Sequence, residues 1–275
     1  MTATPVPDLP LLDGTTVPQL GYGLYKVPPA DARALTLSAI DAGYRLLDTA
    51  ALYGNEREVG EAVRDASVPR EDLVVTSKVW RDDNGFDKTL RAFDASMARF
   101  GLDTLDLYLI HWPVPSTDRY VDAWRALVRL QAEGRVRSIG VANFHPHHID
   151  RIIAETGVAP VLDQVELHPW LPQRALRDAC ARHGIVVQAW SPLARGRVLA
   201  DPVLAQVGAK HGASPAQVVL RWHLQLGNSV IPKASSPARI RENLDVFGFS
   251  LDADDLARIA ALETGERTGR DPDLD

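Results

Sequence analysis

Three observations predict an α/β fold, a closed (β/α)8 barrel of the TIM type. They are eight short β-branched runs, helical segments between them, and a near-constant interval from one run end to the next. The runs are Leu20–Tyr25, Arg45–Asp48, Leu73–Lys78, Leu105–His111, Val136–Ala142, Leu162–Leu167, Ile185–Trp190 and Val230–Pro232. Taking ends at Asp48, Lys78, His111, Val141, Leu167 and Trp190, the intervals are 23 to 33 residues, and 42 residues separate Trp190 from Pro232. A strand with its crossover helix takes about 30 residues, so each interval holds one βα unit and the longest holds an extra helix. Eight such units in one chain point to a closed barrel rather than an open sheet.

The elements follow in order. Leu11-Leu12-Asp13-Gly14-Thr15-Thr16-Val17 reads as an Asp-Gly hairpin placed to cap the barrel floor. Asn55 with Glu58 three residues on reads as an N-cap and its capping-box partner, opening a helix that runs to Val63 and Arg64. Pro172 and Gly184 bracket a helix by the Pro-first, Gly-last asymmetry. Ser214-Pro215-Ala216-Gln217 is a capping box, after which Val219, Trp222 and Leu226 repeat at helical spacing up to Gly227. Leu251, Leu256, Ile259 and Leu262 suffice for one closing amphipathic helix.

The chain has 275 residues, and no linker or shift in composition divides it, so residues 1–275 are expected to form a single barrel domain. Apolar residues make up 45% and charged residues 24%, which excludes a disordered or collagen-like chain. A net charge of −6 argues against a partner held by a broad basic field, so no nucleic acid is expected. The single Cys180 rules out an internal disulfide, and no run approaches the ~18 apolar residues of a membrane helix. The opening Met1–Pro7 lacks a basic, then apolar, leader pattern. The expectation is a cytoplasmic protein, monomeric, without a membrane. An open nucleotide-binding sheet is the rival fold, but Gly21-Tyr22-Gly23 lacks the third glycine of its fingerprint and leads into Pro28-Pro29 instead of a helix.

In such barrels the chemistry sits where strands end. Asp48, Lys78 and His111 are each the last polar residue of an apolar strand on three neighbouring strands, and Tyr53 follows Asp48 by five residues. A tyrosine hydroxyl, with a free pKa of about 10, is a poor acid at neutral pH. A lysine ammonium beside it is expected to lower that value, an aspartate to hold the lysine, and a histidine to orient a carbonyl oxygen. The four suit protonation of a carbonyl oxygen while hydride arrives at its carbon.

These residues carry a family resemblance. Leu46-Leu47-Asp48-Thr49-Ala50-Ala51-Leu52-Tyr53-Gly54-Asn55-Glu56, Thr76-Ser77-Lys78-Val79-Trp80, Leu107-Tyr108-Leu109-Ile110-His111-Trp112-Pro113 and Ile231-Pro232-Lys233 resemble the aldo-keto reductases, most closely the bacterial diketogluconate-reductase-like members. The resemblance implies reduction of aldehydes or ketones with NADPH. It makes Asp48, Tyr53, Lys78 and His111 the catalytic tetrad, with Tyr53 the general acid. It implies that Asn143 and Gln164 hold the nicotinamide carboxamide and that Trp190 stacks on the ring. Ser191, Leu193, Arg195 and Gly196 fall in the loop over the pyrophosphate, and Glu242 and Asn243 match adenine contacts. Lys233 and Arg239, with Ser235 and Ser236, match the positions that read the 2′-phosphate. Two departures stand out: Ala142 precedes Asn143 where the family usually has Ser, and Ala234 follows Lys233 where it usually has Ser. A preference for NADPH over NADH is therefore expected, but a modest one.

Tyr25, Trp80 and Trp112 lie at the same rim and are expected to line the pocket of a small-molecule carbonyl substrate. Trp124 and Trp222, at helical spacing, are expected in the core. Phe144-His145-Pro146-His147-His148 crowds three histidines, but no carboxylate stands at a matching spacing, so no metal is expected. Oxidation of alcohols by the same site, a metal-dependent hydrolase on the same barrel and a cofactor-bound regulatory subunit are the alternative readings.

Overall fold

The structure, a computed structural model, describes residues 6–274. The opening Met1–Pro5, part of the segment read for a leader, lies outside the described residues. A short antiparallel hairpin, β1 (Asp8–Pro10) and β2 (Thr16–Pro18), comes first. The sheet strands are β3 (Tyr22–Gly23), β4 (Leu46–Asp48), β5 (Val74–Val79), β6 (Leu105–Ile110), β7 (Val136–Ala142), β8 (Leu162–Glu166), β9 (Val186–Trp190) and β10 (Ser229–Val230). Each is parallel to its sequence neighbour. The ring closes between the last strand and the first. Gly21 N donates to Val230 O at 2.8 Å, Val230 N to Gln19 O at 2.9 Å and Gly23 N to Pro232 O at 3.1 Å.

That seam explains the two glycines that resembled a fragment of a nucleotide loop. A Cβ on Gly23 would lie 2.7 Å from the Ile231 carbonyl oxygen, and one on Gly21 2.6 Å from the Leu46 side chain. Both distances are below van der Waals contact: at Gly23 the backbones meet this closely only where no side chain intervenes, and at Gly21 the missing side chain leaves room for Leu46. The seam strands are also shorter than Leu20–Tyr25 and Val230–Pro232, because Pro232 has no N–H to continue the ladder and Lys26 turns the chain at φ 59°.

Helices surround the sheet: α1 (Pro29–Ala42), α2 (Glu56–Arg64), α3 (Phe86–Phe100), α4 (Tyr120–Ala132), α5 (Pro146–Thr156), α6 (Arg174–Arg182), α7 (Pro202–His211), α8 (Pro215–Gln225), α9 (Pro237–Leu244) and α10 (Ala253–Ala260). Two of them, α7 and α8, occupy the long interval after Trp190. The main apolar core lies between sheet and helices and includes Trp124 and Trp222. A second core fills the barrel interior, where Leu11 and Val17 of the hairpin segment meet Leu46, Leu107, Leu109 and Leu162. The hairpin is thus a plug for the floor. Among the described residues no helix is long and apolar enough to cross a membrane.

Two helix ends differ from expectation. The Ser214–Gln217 capping box forms as read, but Asn55 does not cap α2. Its side chain is fully buried, accepts from Thr49 Oγ1 at 2.5 Å, and donates to Leu24 O at 3.2 Å and Val27 O at 3.0 Å. It ties the loop after β3 to the loop after β4, which outweighs a cap on exposed amides. Pro172 sits ahead of α6 rather than at its first turn. Gln173 intervenes at φ 50°, and its amide reaches back to Glu166 O.

Asn55→Ala should therefore cost about 2–3 kcal/mol, measured from the urea midpoint, because buried polar groups lose their partners. Asn55→Ser, a good N-cap residue, should recover little of it; full recovery would return the residue to a capping role.

Candidate active site

The loops at the C-terminal ends of the strands enclose a cavity of about 1320 Å³. Asp48 ends β4, Lys78 is the penultimate residue of β5, His111 follows β6, and Tyr53 ends a single 3-10 turn, Ala51–Tyr53. Lys78 Nζ donates to Asp48 Oδ1 at 2.7 Å, Asp48 Oδ2 at 2.8 Å and Thr49 O at 2.8 Å. All three ammonium hydrogens are used, and the lysine is fully buried behind the aspartate. The Tyr53 ring centroid is 5.1 Å from Lys78 Nζ, 5.8 Å from the His111 ring and 5.1 Å from the Tyr25 ring. Trp80 stands edge-on to His111 at 5.2 Å. Of the tetrad residues, Asp48, Tyr53 and His111 line the cavity, as do Tyr25, Trp80 and Trp112.

The electrostatics correct one expectation. The Tyr53 hydroxyl is held well above its usual value of 10, by burial first and then by the Asp48 charge and Tyr25. The pull of Lys78 does not outweigh these, because its charge is largely matched by Asp48. Burial in turn draws Lys78 below its usual value while Asp48 opposes it. His111 is pushed well below 6.5 by burial and by Lys78, so its ring is neutral at neutral pH. The tetrad therefore presents a protonated phenol and a neutral imidazole to the cavity.

The next residues around the rim are two amides and an indole. Asn143 follows β7 at φ 60°, an uncommon backbone for a residue with a side chain, and lines the cavity. Trp190 Nε1 can only donate, so its 2.8 Å partner on Asn143 is Oδ1, and Asn143 Nδ2 gives one hydrogen to His111 O at 2.8 Å. The second Nδ2 hydrogen remains to serve a ligand. Gln164 Nε2 donates to Asp48 Oδ1 at 2.7 Å, leaving its carbonyl oxygen as the acceptor on offer.

Beyond Trp190 the chain turns through Ser191 (φ 46°), Ala194 (φ 47°), Arg195 (φ 56°) and Gly196 (φ 86°). Three non-glycine residues in the left-handed region within five positions is stored strain of the kind found at ligand clamps. Ser191, Leu193, Arg195, Gly196, Lys233, Ser235, Arg239, Glu242 and Asn243 all border the same cavity. Among the described residues Arg195, Lys233 and Arg239 form no ion pair, so three cations and the Glu242 carboxylate border this end of the groove. Lys233 Nζ donates to Ser235 Oγ at 2.6 Å, and Glu242 accepts from Ser214 Oγ at 2.8 Å. Ser236 caps α9, its hydroxyl accepting from Arg239 N, and it is not among the residues that border the cavity.

Sequence reasoning singled out no residue of the tail. Thr268, Gly269, Arg270, Pro272 and Leu274 complete the cavity wall, although nothing periodic marks them. Their anchor is Glu166, the buried last residue of β8, which accepts from Thr268 N at 2.6 Å and Gly269 N at 3.0 Å and bonds His168 Nε2 at 3.1 Å. Burial alone would raise this carboxyl, but those hydrogen bonds prevail and hold it at about 2. Gly269 packs against Trp190, where a Cβ would come within 2.5 Å of the ring.

The tail also reaches the three histidines, bringing carboxylates that spacing did not reveal. His145 Nε2 lies 3.1 Å from Asp271 Oδ1, and His147 and His148 Nε2 each lie 3.3 Å from Asp273 Oδ1. The composition is that of a metal site, but His148 Nδ1 accepts from His145 N at 3.1 Å. The His148 proton is then on Nε2, facing Asp273, and a neutral ring so fixed has no lone pair to give a metal there. Burial holds this ring neutral, at about 4. The cluster is a latch for the tail.

A closed barrel with an Asp–Lys pair, a tyrosine and a neutral histidine at its mouth, and two amides beside them, is the architecture of a carbonyl oxidoreductase. The profile of the aldo/keto reductase family matches residues 14–264, and the chain belongs to that family. It is 52% identical over 266 residues to an aldo-keto reductase of Mycolicibacterium smegmatis, covering 97% of each chain. It is 49% identical over 265 residues to the methylglyoxal reductase DkgA of Salmonella typhimurium, covering 96% of each. Among solved structures it superimposes on a point mutant of Gox0644 in complex with NADPH, with TM-score 0.95, 45% identity and 99% of each chain covered. An aldo-keto reductase of Bombyx mori in complex with NADP gives 0.90 at 33% identity, covering 98% of this chain and 96% of that one.

Glu166→Ala should free the tail from the barrel, so trypsin should cut at Arg267 about tenfold faster than in the parent protein. Unchanged digestion would mean that the latch on α5 holds the tail by itself.

Proposed function

We propose that this barrel domain reduces aldehydes or ketones to alcohols with NADPH, Tyr53 supplying the proton. The observation that carries the reading is the pair of ligand-facing groups left over at the rim: one N–H on Asn143 and one carbonyl oxygen on Gln164. A primary carboxamide, with one carbonyl and one NH2, is their complement, and the nicotinamide of NADPH ends in that group. The unpaired Arg195, Lys233 and Arg239 supply cations for a pyrophosphate and a 2′-phosphate at the other end of the same groove. When bound, the cofactor supplies a hydride to the carbonyl carbon.

The residues do the rest. His111, neutral, directs a carbonyl oxygen toward Tyr53 by hydrogen bonding. Tyr53 gives its proton to that oxygen as negative charge develops there. A high tyrosine pKa does not oppose this, because the alkoxide forming from the carbonyl is a far stronger base than a phenolate. Asp48 holds Lys78 in place, and the ammonium, 5.1 Å from the Tyr53 ring, stabilises the phenolate left after transfer. Tyr25, Trp80 and Trp112, with the tail, wall the substrate space and exclude water. The relative named a methylglyoxal reductase makes that dicarbonyl the first substrate to try.

With methylglyoxal as substrate, Tyr53→Phe should lower kcat by roughly 10²–10⁴-fold and leave NADPH affinity nearly unchanged. In the parent protein the acid is lost only as pH rises through the elevated Tyr53 pKa. The reduction rate should therefore be flat from pH 6 to about 9 and fall only above it. Retained turnover in Tyr53→Phe, or a limb near pH 7, would remove Tyr53 from the acid's role.

A charge-assisted phosphate contact contributes roughly 1.5–3 kcal/mol, so Arg239→Ala should weaken NADPH binding by about one to two powers of ten. NADH affinity, titrated by fluorescence, should scarcely move. Equal losses for both cofactors would show that Arg239 does not read the 2′-phosphate.

A further inference from the structure

Below the rim, the barrel interior contains a hydrogen-bonded file of polar side chains that the tetrad does not include. Gln164 Nε2 donates one hydrogen to Asp48 Oδ1 and the other to Gln188 Oε1, both at 2.7 Å. Gln188 Nε2 donates to Ser229 Oγ at 3.0 Å, and Ser229 Oγ donates to Pro18 O at 3.2 Å. Gln188 and Ser229 are fully buried and Gln164 nearly so.

The direction of every bond in this file is determined. Pro18 O is a backbone carbonyl and can only accept, so Ser229 spends its hydrogen there and must accept from Gln188. That orients the Gln188 amide with its nitrogen toward the floor and its oxygen toward Gln164. At the upper end Asp48, charge-paired with Lys78, also only accepts. Gln164 therefore faces an acceptor on each side of its nitrogen, and both hydrogens are committed. Its carbonyl is left as the outward group.

We propose that Gln188 is a positioning residue for cofactor binding. By accepting the second hydrogen of Gln164, it holds that amide in the one plane where the carbonyl faces the cavity while the nitrogen holds Asp48. This rests on the reading of Gln164 as the acceptor for a carboxamide NH2. Asp48 alone fixes which end of the amide points inward but leaves it free to turn about that single bond. The second bond removes the rotation, and the floor of the barrel, through Pro18, is its foundation. A buried side chain with no contact to ligand then governs how the nicotinamide end is held.

The test compares two ligands by calorimetry: NADP⁺ and adenosine 2′,5′-bisphosphate, which has the far end of the cofactor without the nicotinamide. Gln188→Met keeps the length and removes the acceptor. It should raise the Kd for NADP⁺ about tenfold, the equivalent of one hydrogen bond, and leave the bisphosphate within about twofold. Gln188→Glu, held protonated by burial beside Asp48, retains an acceptor for Gln164 and an O–H for Ser229, and should recover most of the loss. Ser229→Ala removes only the support of Gln188 and should cost NADP⁺ about threefold. Bisphosphate binding reports that each variant is folded. Equal losses for both ligands, no change in Gln188→Met, or no rescue by Gln188→Glu overturns the proposal. Should Gln188→Met not fold, an unchanged ratio in Ser229→Ala overturns it. Gln164→Met separates the two readings: if it leaves the NADP⁺-to-bisphosphate ratio unchanged, the carboxamide site itself is wrong, whereas a shift there without one in Gln188→Met condemns the role of Gln188 alone.

Discussion

A carboxylate buried at the mouth of an apolar barrel must be matched in charge and hydrogen-bonded throughout, and much of the site follows from meeting that demand for Asp48. Lys78 supplies the charge and two of the bonds, and Gln164 supplies the third. Because the pair is sealed from water, removing either partner would strand the other, which in buried pairs costs about 3–5 kcal/mol. Asp48 and the Thr49 carbonyl together take every hydrogen of Lys78, so the lysine acts on Tyr53 through its field and not through a bond. Burial first and the Asp48 charge second keep the phenol protonated, and burial with the Lys78 charge keeps His111 neutral.

The barrel makes this possible by bringing distant segments to one rim. Asp48, Lys78, His111, Asn143, Gln164 and Trp190 come from six successive strands, and each lies at or near a strand's C-terminal end. Closure of the ring then matters as much as the strands. Gly23 lets β3 approach the chain after β10 closely enough for Lys233 and Arg239, in the chain's last βα unit, to border the same cavity as Tyr25 near its beginning.

The tail adds a wall that the barrel lacks. Glu166 grips its backbone from the end of β8, Gly269 lies flat against Trp190, and the histidines at the start of α5 hold Asp271 and Asp273. The cavity wall and the Trp190 indole are thus in contact with one segment. A change in the tail should be felt at both, since Trp190 is also tied through Asn143 to His111.

Periodicity and strand-end polarity determined a large part of this in the sequence itself. An alternation with a roughly constant interval admits few topologies, and a charged residue closing an apolar strand has only the barrel mouth in which to sit. The strands of the middle of the sheet, the capping box at Ser214 and the tetrad were legible because each depends on residues close together in the chain or on a simple period. What tertiary structure alone decided depends on partners far apart. Asn55 looked like a cap because its sequence neighbours are those of a cap, yet its partners are the loop around Leu24 and Val27, about thirty residues away. That Ser236 caps the helix on which Arg239 lies was likewise decided by the fold. The direction of the Tyr53 shift turned on how deeply the folded chain buries the hydroxyl and on the Asp48 charge beside it. The tail had no period to announce it, because its order is imposed by Glu166 and the histidines and not by its own residues. Buried hydrogen-bond polarity, from Pro18 to Asp48, is set by which atoms can donate once the chain has closed, and spacing along a sequence contains no record of that.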